Sequence, residues 1–138
     1  MKKLINIIKD IKENLMSLQN LMHQEYDNLL KSKINIKKIK LIIEEKEFFL
    51  RKIASLKKEK SFLEKRYNIF PPYLQFNELN LHWDEIISIC FLLKKKNIKN
   101  KIILNEKFYL NQRFLNTFQK YRLNQNNTTY GVDGHLEN

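Results

Sequence analysis

Residues 78–122 contain neither proline nor glycine. Within them Leu79, Trp83, Ile86, Cys90, Leu93, Asn97, Asn100, Leu104, Lys107, Asn111, Phe114, Phe118 and Tyr121 recur alternately four and three positions apart. That spacing keeps one stripe on one side of an α-helix. A continuous helix over this stretch rises about 1.5 Å per residue and spans roughly 65 Å. Such a helix cannot bury its stripe against itself, so it needs partner helices or a partner protein along its length. The rest of the chain is therefore read first as a source of covering helices.

The remainder supplies two. Leu4, Ile8, Ile11, Leu15, Leu18, Met22 and Leu29 step by four and three, with Glu25 in the one polar position, and predict an amphipathic helix over residues 3–31. A short turn follows, in which Asn35 is placed to cap the next helix through its side-chain oxygen. So short a connection makes the next helix antiparallel to the first. Ile39, Ile42, Lys46, Phe49, Ile53, Leu56, Lys60, Leu63 and Tyr67 define that helix over residues 36–67. Lys46 and Lys60 interrupt its seam, and the expectation is that each lies along apolar surface and extends its ammonium to water. Pro71 and Pro72 end the helix. Residues 73–77 read as a connector, with Asn77 as N-cap of the third helix and Glu78 placed for its dipole. Beyond Arg122 the apolar period is lost, and both glycines flank a short turn, Gly131-Val132-Asp133-Gly134. The expected fold is all-α: an antiparallel long-helix hairpin plus a long third helix, a coiled-coil-like three-helix bundle. Residues 1–122 form one domain and 123–138 a disordered tail.

Composition narrows the function classes. The 138 residues include only 2 Gly and 2 Pro, too few for a turn-rich β fold. Charged residues are 30% and hydrophobic ones 43%, the balance of a soluble helical protein. Cys90 is the single cysteine, which excludes an internal disulfide and suits a reducing cytosol. The opening Lys2-Lys3-Leu4-Ile5 imitates a signal peptide, but Asp10, Lys12 and Glu13 break the apolar run before a signal core or membrane span is complete. The net charge of +11 raises nucleic acid or an anionic membrane as partners. Against a nucleic-acid footprint, the lysines are spread over all segments and interleaved with Glu44, Glu45, Glu47, Glu59 and Glu64.

No enzyme constellation stands out. His23, His82 and His135 fall in separate segments without ligand spacing, Glu44 and Glu45 diverge by about 100° on a helix, and there is no glycine-rich phosphate loop. No cofactor or metal is implied. The informative residues lie on the third helix. Asn97, Asn100 and Asn111 place amides on the seam, where a polar group fixes register by demanding a partner. They divide the helix in two. Leu79, Trp83, Ile86, Cys90 and Leu93 are assigned to the intramolecular core. Phe108, Tyr109, Phe114, Leu115, Phe118 and Tyr121 exceed what two helices of this length need to cover. Surplus aromatic area on a helix marks a protein–protein surface.

Several of these residues carry a resemblance. Ile43-Glu44-Glu45-Lys46 followed by Leu50, then Trp83, Asn97, Asn100, Asn111 and Leu115, and a tail of Thr129-Tyr130-Gly131-Val132-Asp133-Gly134 together resemble the FlgN family of flagellar type III export chaperones. Lys101 and Thr129 depart from the family's usual glycine and leucine. The resemblance implies a cytoplasmic, non-catalytic helical protein. It would bind hook-associated (hook–filament junction) subunits, prevent their premature assembly, and deliver them to the cytoplasmic domain of the export gate. It implies client binding by Leu104, Phe108, Asn111, Phe114, Leu115, Phe118 and Tyr121, and gate docking by Tyr130, Gly131, Asp133 and Gly134. Two other readings stay open: a basic helical nucleic-acid binder, and a coiled coil that forms a homodimer through the same seam.

Overall fold

A computed structural model describes residues 1–110. They form three helices, α1 (Lys2–Leu29), α2 (Ile36–Tyr67) and α3 (Asn77–Leu110). The all-α architecture is the one the periodicity requires, and the bounds of α2 coincide with those read from the sequence. α1 starts one residue earlier and ends two residues sooner than expected. The portion of the third helix expected beyond residue 110, and the expected tail, lie outside the described residues.

Local chemistry sets these limits. Asn35 has extended backbone (φ −86°, ψ 101°), and its Oδ1 accepts from the Lys38 N–H at 3.2 Å, so the expected N-cap of α2 is made. α2 ends at Tyr67, and its C-cap Asn68 adopts the left-handed conformation (φ 56°, ψ 45°) that asparagine tolerates there. α3 starts one residue earlier than predicted. The Phe76 carbonyl accepts from the Asn80 N–H at 2.9 Å, so Phe76, and not Asn77, stands in the cap position.

The helices run up, down and up. α2 is antiparallel to α1, and α3 is parallel to it. Lys9 meets Glu78, Lys12 meets Glu85, and Asn100 meets the Met22 carbonyl, in the same order along both helices. α1 packs against both neighbours, whereas α2 and α3 nowhere come within 8 Å of each other, Cα to Cα, among the described residues.

The core has two apolar blocks. The larger joins Leu4, Ile8, Ile11, Leu15, Leu18 and Met22 of α1 to Leu50, Ile53 and Leu63 of α2 and to Leu79, Ile86 and Leu93 of α3. The smaller joins Leu29, Ile39, Ile43 and Leu104 at the far end. Between the two, one residue from each helix forms a buried polar node. Lys46 Nζ donates to Glu25 Oε1 and Oε2 at 3.1 and 3.3 Å, and Asn100 Nδ2 donates to Glu25 Oε1 at 2.8 Å and to the Met22 carbonyl at 3.0 Å. Lys46 is therefore not solvent-reaching as the sequence suggests, being only 3% exposed. A carboxylate at hydrogen-bond distance in a desolvated seam holds the ammonium inside. Asn100 does what a seam amide is expected to do: it finds one partner set at one register.

Lys60 departs from expectation for the same reason. It is buried, with Nζ 2.9 Å from Glu64 Oε2, 3.3 Å from the Tyr73 hydroxyl and 4.6 Å from the centre of the Trp83 ring. Tyr73, read as connector, is in fact a buried plug at that end of the bundle. Its φ of 58° is unusual for a bulky residue and persists because the ring is fixed from several sides. The Tyr73 N–H donates to the Phe70 carbonyl, the Phe76 N–H to the Tyr73 carbonyl, and Asn80 Nδ2 to the Pro72 carbonyl at 2.7 Å. The segment between α2 and α3 is thus a fixed loop with a cis Pro71–Pro72 peptide.

Candidate protein-docking surface

α3 carries two apolar stripes. Leu79, Ile86, Leu93, Asn100 and Leu104 are buried against the rest of the bundle. Ile87, Phe91, Ile98 and Ile102 repeat at intervals of four, seven and four, each of the first and last only one or two positions from a core residue. An offset of one residue turns a helix by about 100°, so this second stripe faces away from the core. These four side chains are 49%, 60%, 52% and 53% exposed. Lys94 and Lys95 occupy the gap in the stripe, and Lys95 Nζ lies 4.6 Å from the centre of the Phe91 ring. The result is an apolar track with cations beside it, long enough for several turns of a second helix.

At its α3 N-terminal end the track opens into a groove of about 160 Å³. Ile86, Ile87 and Cys90 of α3 form one wall, Ile53 and Lys57 of α2 the other, and Ile11 and Leu15 of α1 the floor. The groove exists because α2 and α3 each pack on α1 and stay apart from each other. Trp83 closes one end. Its ring meets Tyr73 edge-on at 5.8 Å, and Lys60 sits over its face. The Tyr73 hydroxyl donates to Glu64 Oε2. Burial, reinforced by that hydrogen bond and by the Glu64 charge, pushes the Tyr73 phenol well above its usual range and keeps it neutral. These groups brace the groove.

The structure distributes the expected site residues unevenly. Leu104, expected to contact a client, packs against Leu29, Ile39 and Ile43 and belongs to the core. The register that buries Asn100 necessarily turns Leu104, one turn later, to the same side. Phe108 falls in the last turn of α3. Asn111, Phe114, Leu115, Phe118, Tyr121, Tyr130, Gly131, Asp133 and Gly134 lie outside the described residues. The exposed stripe of Ile87, Phe91, Ile98 and Ile102 was missed by the sequence reading. Its signal was present, because a second 4-7-4 series runs beside the first, but the stronger 4-3 series claimed the whole helix.

Among the described residues no group of three or more His, Cys, Asp or Glu side chains could hold a metal ion. His23 is exposed, and His82 lies beside Lys12, with its Nδ1 3.0 Å from Lys12 Nζ. No helix among the described residues is long and apolar enough to cross a membrane.

No solved structure matches the chain. It is 47% identical over 137 residues to a flagella synthesis protein FlgN of Buchnera aphidicola subsp. Acyrthosiphon pisum (strain APS), covering 99% of each chain. It is 27% identical over 123 residues to the flagella synthesis protein FlgN of Proteus mirabilis, covering 89% of this chain and 82% of that one. The family profile described as FlgN protein matches residues 1–138, and the chain accordingly belongs to the FlgN family.

Proposed function

We propose that this chain is a non-catalytic chaperone of flagellar type III export. It holds hook-associated subunits in the cytoplasm, keeps them from assembling early, and hands them to the export gate. A role in flagellar assembly follows from family membership and from the names its relatives carry. The observation that supports the finer reading is the second stripe of α3, which the described helices leave uncovered. A client's amphipathic terminal helix fits such a track through spaced apolar anchors. Phe108, Asn111, Phe114, Leu115, Phe118 and Tyr121 extend the client-binding surface toward the C-terminus, and Ile98 and Ile102 take the place of Leu104 at its near end. Tyr130, Gly131, Asp133 and Gly134 dock on the cytoplasmic domain of the gate, separately from the client.

The test is a binding assay with purified hook-associated subunits. Phe114→Asp and Phe118→Asp each weaken capture by at least about 2 kcal/mol, roughly thirtyfold, with helicity unchanged. Tyr130→Ala retains the client and loses binding to the gate domain. Wild-type client affinity in both aspartate variants would overturn the carrier role, and wild-type gate binding by Tyr130→Ala would remove that assignment.

A further inference from the structure

The end of the bundle where α2 hands over to α3 has an unusual surface. Phe62, Phe70 and Leu74 are 65%, 52% and 77% exposed there, and Tyr67 is partly exposed beside them. Phe62 borders a shallow apolar recess of about 600 Å³ with Ile7 and Leu63. Phe70 and Leu74 border a second recess in the loop. These side chains are held outward. Tyr73 is pinned inside by Lys60, Glu64 and Trp83, and the loop's backbone hydrogen bonds fix the residues on either side of it. Large apolar groups on a rigid exposed loop mark a binding surface rather than a packing defect.

The charge at this end is predominantly positive. Lys2 and Lys3 in the first turn of α1, and Lys58, Lys65 and Arg66 near the end of α2, are all exposed, with Glu59 as the opposing carboxylate among them. Glu78, nearby, is engaged by Lys9 at 3.6 Å, and Glu64 is buried with Lys60. Apolar tips at the same end as exposed cations, with Lys3 and Lys58 bordering the Phe62 recess, are the complement of an anionic lipid surface, where rings and leucines enter the headgroup boundary and cations meet phosphate.

We propose that this end of the molecule docks peripherally on anionic bilayers, without a spanning segment. The attachment is reversible, because a few side chains and a handful of cations give only modest membrane affinity. It stands on the surface described here and does not depend on the carrier reading.

The experiment is co-sedimentation of the full chain with phosphatidylcholine vesicles with and without phosphatidylglycerol. Wild type partitions onto the anionic vesicles and not onto the neutral ones. Phe70→Ser/Leu74→Ser and Lys65→Gln/Arg66→Gln each lower partitioning by about tenfold or more, with the circular dichroism spectrum unchanged. Lys37→Gln/Lys38→Gln, at the opposite end of the bundle, binds as wild type does. Equal binding to neutral vesicles, or none to anionic ones, overturns the proposal. So does an equal loss in the Lys37/Lys38 variant, which would assign binding to diffuse charge. Wild-type binding by the Phe70/Leu74 variant would assign vesicle binding to charge alone, without the apolar tips, and overturn it equally.

Discussion

Glu25, Lys46 and Asn100 come from three helices and lie 21 and 75 residues apart in sequence, Lys46 and Asn100 each measured from Glu25. Helical spacing reveals that each occupies a seam position, but it does not reveal that they meet. Spacing alone predicts a solvent-reaching ammonium for Lys46, because its carboxylate partner lies on another helix. Removing Glu25 or Lys46 leaves the other as an uncompensated buried charge. Lys46→Met is expected to cost about 3–5 kcal/mol in urea unfolding, while Glu25→Leu/Lys46→Met recovers most of it. Tyr73 was illegible for a related reason: its burial depends on Lys60, Glu64 and Trp83 closing around a left-handed backbone that no local pattern announces. Its raised phenol pKa gives a signed pH dependence. Below about pH 10 the phenol is neutral in both native and unfolded chains, and its contribution is fully present. Above about pH 10 only the unfolded chain ionises, so stability falls as pH rises. Tyr73→Phe is expected to lose about 1–2 kcal/mol at neutral pH and to show a shallower alkaline decline in melting temperature.

At the scale of elements, the sequence was far more informative. The 4-3 series located all three helices, and Asn35 marked the start of α2 because capping chemistry is local. What the series concealed was that α3 has a second use. A helix that is apolar on two sides serves two partners, and here only one side is covered by the chain's described helices. The two stripes should respond differently to substitution. Leu93→Ala, at a fully buried position, is expected to cost about 2–5 kcal/mol in chemical denaturation. Ile98→Asp, on the outer stripe, should change stability by about 0.5 kcal/mol or less. The same Ile98→Asp change should impair client capture if the stripe is the client's seat. Comparing the two measurements separates a folding surface from a binding one.

For the whole molecule, the +11 charge is unevenly expressed. The Lys46–Glu25 and Lys60–Glu64 pairs cancel and add nothing to it; part of the excess forms the basic end where α2 hands over to α3, and the rest is dispersed. Dispersed lysines predict RNA or DNA binding that is detectable at low salt and lost near physiological ionic strength, with a steep dependence of affinity on salt. Affinity that persisted there would favour a nucleic-acid role over a protein-binding one. The arrangement of the helices has a further consequence. Because α1 is the one helix whose backbone runs close beside both others, while α2 and α3 meet through side chains such as Lys60 with Trp83 and Ile39 with Leu104, its seams are unequal in what they put at risk. α3 can peel away by opening its seam with α1 and the side-chain contacts it makes to α2, leaving a two-helix hairpin behind, whereas no opening of α1 spares either neighbour. Amide protons in α3 should therefore exchange through a cheaper excursion than those in α1, giving the protein a hinged arm on a stiff spine.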